Sequence, residues 1–187
     1  MANHPTLKDP FILLSMWWPR MLSRRQKFLP WSTPDVTYFA GLARWAYPVI
    51  HTIPVDRINK NGRHVIKGIS FVLRANWSLI IHPEEGRTLS QRRDDVTTLK
   101  KFHFSKDGTR KIRWLTNASV LRMAIKNESR ITPTFIDMPE YERVPGFEFW
   151  GCKRVSVYYG ETYMPDQNMS DDELLLDLAN RILEAGK

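Results

Sequence analysis

Apolar residues recur at two spacings along this chain, and the residues between them mark out a succession of helices and strands. Asp9 and Pro10 precede "FILLSMWW". Aspartate can cap the free amides of a helix and proline suits its first position, so a helix is expected to begin there, with His4 in the turn before it. A second helix is expected over "TPDVTYFAGLARWAYP", opened by Thr33 and Pro34 and closed by Pro48. "VIHTIPVDR" reads as a short strand with a polar end at Asp56 and Arg57. In "HVIKGISFVLRAN", Val65, Ile69, Val72 and Leu73 are spaced for one face of a helix. "WSLIIHPEEGRT" then predicts a buried strand, Ser78 to Ile81, that runs into a charged loop. "NASVLRMAIKN" predicts a helix with Val120, Leu121, Ala124 and Ile125 toward the core, and "RITPTFID" and "RVSVYYGETY" predict strands. The last element, "SDDELLLDLANRILEAG", is an amphipathic helix capped by Ser170, with Asp171 to Glu173 at the positive end of its dipole and Gly186 at its exit. Helices alternating with strands argue for an α/β fold, a mixed β-sheet flanked by helices. In such folds sites lie beyond the strand ends.

The length of 187 residues holds one good core, so a single domain over residues 1–187 is expected. A 42% hydrophobic share with 12% aromatics is that of a globular chain. There is no internal repeat and no low-complexity segment. The charge is uneven: residues 1 to 134 carry 23 Lys+Arg against 9 Asp+Glu, whereas residues 135 to 187 carry 5 against 11. A basic region of this kind attracts nucleic acid, an anionic membrane surface or a phosphorylated small molecule, or is simply a solvated basic face. Cys152 is the only cysteine, which excludes an internal disulfide and a thiolate-rich metal site and fits a reducing compartment. The five histidines show no H-x-x-x-H or H-E-x-x-H pairing, so no metal site is expected. No apolar run reaches the ~18 residues of a spanning helix. Lys8 and Asp9 interrupt the start of the chain as no signal peptide would. "FILLSMWWPRMLSRRQKF" joins two tryptophans to Arg20, Arg24, Arg25 and Lys27. It suits an anionic membrane surface or, equally, a core helix with a basic exit, broken in either case by Pro19.

His4 and Asp9 are the first residues that could carry chemistry. On a regular helix positions five apart point about 140° apart, so the two could meet only with His4 in the turn and Asp9 at the helix mouth. There the carboxylate could accept a hydrogen bond from one ring nitrogen and leave the other to take a proton from a hydroxyl. A loop histidine beside a capping aspartate is the other reading. Three strand ends add Arg57 in "PVDR", Glu84, Arg87 and Thr88 in "HPEEGRTLS", and Pro133 in "ITP". A guanidinium fork matches phosphate oxygens, although lone arginines also form surface ion pairs.

Taken in order, "NHPTLKD", "HTIPVDR", "IIHPEEGRTLS" and "ITP" resemble the four sequence blocks of the glycerolipid acyltransferases, the family of lysophosphatidate acyltransferases. The closing "VSVYYGETYMP" with its acidic-capped helix also looks like that family's C-terminal end. The resemblance implies a glycerol-3-phosphate acyltransferase-like fold, with His4 as general base and Asp9 as its orienting partner. Arg57, Glu84, Gly86 and Arg87 would form the acceptor phosphate site, and Pro133 would belong to the acyl-donor pocket. It further implies no cofactor beyond acyl-CoA or acyl carrier protein as co-substrate. The partners would be a lysophospholipid acceptor and an anionic membrane surface, with no nucleic acid, and the location the cytoplasmic face of a membrane without a spanning helix. No covalent acyl-enzyme is needed, in keeping with the lack of a serine or cysteine in "NHPTLKD".

Departures from the family pattern bear on the third block, where P-E-G-T-R-S is usual. Aligned without a gap, the preferred register, Glu85 replaces the glycine and Gly86 the threonine; a register shifted by one would match Glu85 and Gly86 to the family's glutamate and glycine at the expense of the proline and arginine spacing. Glu85 would repel a phosphate unless it points away. His51 and Pro54 stand in the second block where glycine and an aromatic residue are common. Family members ordinarily carry a segment before the first block, where this chain has Met1 and Ala2, so the helix after Asp9 is expected to expose apolar surface. A catalytically impaired relative that holds lysolipid or acyl-CoA is the alternative function, and a basic nucleic-acid-binding module ranks third.

Overall fold

A computed structural model describes residues 1, 30–33, 51–55, 62–83, 102–137 and 155–186. Helices and short strands alternate along them in an α/β fold, the class that the sequence pattern predicts. In chain order the strands are β1 (Trp31–Ser32), β2 (Leu79–Ile80), β3 (Phe102–Phe104), β4 (Lys111–Arg113), β5 (Thr134–Asp137) and β6 (Ser156–Tyr159). The helices are α1 (Arg63–Arg74), α2 (Ser119–Lys126) and α3 (Asp171–Glu184). The described residues form two compact units, one of residues 30–33, 51–55 and 62–81, the other of residues 1, 82–83, 102–137 and 155–186. The helices expected after Asp9 and over residues 33–48 lie outside the described residues, Thr33 apart.

In the first unit β1 and β2 pair in parallel, Trp31 opposite Leu79 and Ser32 opposite Ile80. On its other side Ser32 bridges Thr52, also in parallel, through Ser32 N–H to the His51 carbonyl (3.0 Å) and Ile53 N–H to the Ser32 carbonyl (2.8 Å). The expected strand over residues 49–57 is therefore, among its described residues, short pairing at Thr52 and Val55. Helix α1 packs against β2 and buries Ile69 and Val72, with Val65 and Leu73 half-buried beside them. That is the face set by the 3.6-residue spacing.

The second unit is built around α3. Its buried side chains Leu174, Leu178, Ile182 and Leu183 meet Ile112, Leu115, Leu121, Ile131 and Phe135 in one apolar cluster. Helix α3 begins with a capping box. Glu173 N–H donates to Ser170 Oγ at 3.3 Å, and Ser170 N–H donates to the Glu173 carboxylate at 2.8 Å. These satisfy two of the amides that a helix start leaves free. Arg122 of α2 ties the approach to this cap, donating to Asp171 Oδ1 and to the Met169 carbonyl, each at 2.7 Å. Strands β5 and β6 pair antiparallel from Thr134 opposite Tyr159 to Asp137 opposite Ser156. An isolated antiparallel bridge, Ile131 to Tyr163, prolongs this pairing past Pro133.

The hairpin β3–β4 is an addition to the elements read from the sequence. Phe102, His103 and Phe104 face Arg113, Ile112 and Lys111. Its turn is held by Asp107, whose carboxylate accepts from Thr109 N–H (3.1 Å) and from both the Ser105 and Thr109 hydroxyls. Gly108 supplies the left-handed conformation the turn needs, at φ +68°. His103 stacks on Trp114, centroids 4.1 Å apart and planes 9° from parallel, and burial lowers its pKa from the ordinary 6.5. The folded state thus holds this imidazole neutral, and the unfolded chain takes up the proton first as pH falls. Stability present above pH 6.5 is expected to decline as pH drops through 6.5 toward the folded pKa. An NMR titration of the His103 ring should give a midpoint below 6.5; one at or above that value contradicts the burial effect.

Candidate functional site

His4, Asp9, Arg57, Glu84, Gly86 and Arg87 lie outside the described residues, and Pro133 lies within them. Their flanks are nonetheless informative in both units.

In the parallel ladder, Thr52 and Ile80 lie on either side of Ser32 and run in the same direction. The segment leading into "PVDR" and the segment leading into "HPEEGRT" therefore leave the ladder at one edge, its carboxyl edge. Parallel strands of α/β folds present their binding loops there, because strand polarity sends every following loop to the same side. Behind the ladder, at its amino edge, Trp31 stacks on His51 at 5.0 Å and on Trp77 at 5.6 Å between centroids.

In the other unit Pro133 is buried and paired on both sides. Met1 N donates to the Thr132 carbonyl, and Thr134 N–H donates to the Met1 carbonyl, each at 2.7 Å. This is the bonding of a parallel bridge between Met1 and Pro133. It needs no amide hydrogen from the proline, since only the neighbours' groups take part. On the opposite side the Pro133 carbonyl accepts from Gly160 N–H at 2.8 Å. A Cβ at Gly160 would come within 3.1 Å of Pro133 Cγ, a tight approach to the proline ring. Thus "ITP" is a junction: the start of the chain enters beside it, β6 ends against it, and α3 closes over it. The roles of Met1 and Gly160 were not read from the sequence. A glycine closing "SVYYG" offered a weak signal for one of them, and nothing local marked the other.

Tyr163, across the bridge from Ile131, is also strongly shifted in its ionisation. Burial and the nearby Asp177 carboxylate raise its phenol well above the usual range, opposed by Arg181, whose guanidinium lies 3.9 Å over the ring. Arg181 is itself held by Asp177 through bonds of 2.9 and 2.8 Å. Tyr163 is accordingly a neutral phenol at physiological pH and no candidate base. Among the described residues no group of three His, Cys, Asp or Glu side chains could hold a metal ion. None of the described helices is long and apolar enough to cross a membrane.

Residues 1–136 match the Acyltransferase family, a span that contains all four blocks together with the hairpin. The chain belongs to the glycerolipid acyltransferase family, and its general activity is acyl transfer. Neither a curated protein nor a solved structure gives a match to it.

Proposed function

We propose that this chain transfers a fatty acyl group from acyl-CoA or acyl carrier protein to the free hydroxyl of lysophosphatidate or a related glycerol phosphate lipid, at the cytoplasmic face of a membrane to which it binds peripherally. The family match over all four blocks carries this reading. In the proposed chemistry the neutral imidazole of His4, oriented by Asp9, takes the proton of the acceptor hydroxyl as its oxygen attacks the thioester carbonyl. The C–S bond then breaks, the thiolate leaves and is protonated, and an ester remains on the glycerol. Histidine suits the step because its ordinary pKa of about 6.5 leaves it a free base near neutral pH.

The family match supports the assignment of roles, since the matched span holds the segments of His4, Asp9 and Pro133 together. The second and third blocks lie within the same matched span, which supports the acceptor phosphate as the task of Arg57 and Arg87. Arg87→Ala is then expected to raise the acceptor KM by about tenfold to a hundredfold, the loss of one charge-assisted phosphate contact, with a smaller change in kcat. Steady-state kinetics with varied lysophosphatidate reads this directly; an unchanged KM removes Arg87 from the phosphate site.

The reading as a whole is tested by following thiol release from an acyl-CoA with and without lysophosphatidate while identifying the product lipid. Acceptor-dependent release with formation of the diacyl product is the expected result. Saturable binding of acyl-CoA without any product would replace the reading with that of a lipid-binding relative.

A further inference from the structure

Helix α1 has one face accounted for by packing and another that packing leaves unexplained. Ile69 and Val72 are buried beneath it. On the opposite side Arg63, Lys67 and Arg74 are all exposed and fall within about 40° of one another in helical projection. Two large apolar side chains flank this stripe, Ile66 at 52% exposure on one side and Phe71 at 62% on the other. Phe71 also stands edge-on to Trp77, ring centroids 6.2 Å apart, so the aromatic surface continues past the end of the helix. From Arg57 to Pro83 the sequence carries five Lys and Arg residues and no carboxylate.

Cations alone would suit any polyanion. Exposed isoleucine and phenylalanine beside them point to a surface that is anionic outside and apolar just beneath, which is the profile of a bilayer and not of a nucleic-acid backbone. We propose that α1 is the face through which this chain docks on an anionic bilayer. Arg63 and Lys67 meet the lipid phosphates, and Ile66 and Phe71 enter between the headgroups. The inference rests on the peripheral-membrane reading above and adds to it the residues that make the contact.

Co-sedimentation of the whole chain with phosphatidylcholine vesicles, with and without phosphatidylglycerol, tests it. The unmodified chain is expected to bind the mixed vesicles and to release them as salt rises. The double variant Arg63→Gln/Lys67→Gln should lose roughly 30-fold in partitioning, about fivefold for each cation removed near an anionic surface. Ile66→Ser should lose roughly tenfold, for one apolar side chain no longer inserted. Neither variant touches the proposed catalytic or phosphate-binding residues. Both should keep the far-ultraviolet circular dichroism of the parent and its turnover of a short-chain acceptor dispersed in water. Variants that fold and still bind vesicles like the parent would move the docking surface elsewhere while leaving the peripheral reading intact. A parent chain that turns over the dispersed acceptor yet binds no vesicle would overturn both. Loss of binding to a duplex oligonucleotide, with vesicle binding retained, would make α1 a nucleic-acid surface and end the proposal.

Discussion

Substituting His4 with alanine is expected to reduce acceptor-dependent thiol release by about 10²- to 10⁴-fold, the range for removal of a positioned general base. The loss should fall on kcat and kcat/KM together, because the proton leaves the acceptor hydroxyl only as the new bond forms. Binding of acyl-CoA should stay within a few-fold of the parent. Asp9→Asn discriminates base from bystander. An amide at that position still bonds to the ring but no longer stabilises the imidazolium that forms, so it should lower kcat while leaving the fold intact. If His4 were merely a loop residue beside a helix cap, Asp9→Asn would be almost silent, since aspartate and asparagine cap comparably. Unchanged turnover in a purified, folded His4→Ala sample would sink the mechanism. A parallel loss of thermal stability would instead assign His4 to the junction around Met1 and Pro133.

Where local periodicity and packing direction agree, the fold was legible in advance. Helix α3 is the clearest case: Ser170 and Glu173 announce its start, and Leu174, Leu178 and Ile182 recur at the spacing that buries them. Helix α1 buries Ile69 and Val72 of the face expected of it, and α2 buries Leu121 and Ala124 while Val120 and Ile125 stay half-buried. The strand "RITPTFID" was legible in type but not in continuity. Pro133 confines the ladder of β5 to Thr134–Asp137 and leaves Ile131 as a single bridge. The hairpin β3–β4 went unread because its pattern is turned outward. Ile112 is the fully buried residue, whereas Phe104 is half-exposed on the face it shares with Lys111. Apolar alternation therefore marks the solvent side, and Asp107-Gly108 was the one usable turn signal. For the site, the four blocks are short and covalently continuous, so they can be read along the chain. The bridge between Met1 and Pro133 joins residues at opposite ends of the matched span, and no pattern within either segment encodes that pairing.

The largest structural effect is expected from Arg110→Ala. Arg110 reaches from the end of the hairpin turn to the C-terminal end of α3, where its Nη1 donates to the Leu183 carbonyl at 3.1 Å and to the Ala185 carbonyl at 2.6 Å. Helix ends leave such carbonyls without intrahelical partners, and a cation is favoured there by the dipole. The guanidinium also lies between two rings, 4.8 Å from the centroids of both Phe135 on β5 and Tyr158 on β6. One side chain thus joins the hairpin, the β5–β6 ladder and the helix that closes over Pro133. Removing it takes away two charge-assisted hydrogen bonds and two cation–π contacts and strands the carbonyl of Ala185, a residue 1% exposed. About 3 kcal/mol of destabilisation follows from the typical size of such bonds, reduced for the partial exposure of the arginine. Denaturant unfolding should show this as a lower midpoint at unchanged slope. Arg110→Lys separates the contributions: it retains the charge near the helix end but loses the planar fork and the stacking, so it should recover less than half of the loss. Full recovery by lysine would mean that charge at the helix terminus dominates. A shift below about 0.5 kcal/mol for Arg110→Ala, the size of an ordinary surface substitution, would mean that the apolar cluster around Leu178 and Ile182 holds α3 in place without the clamp.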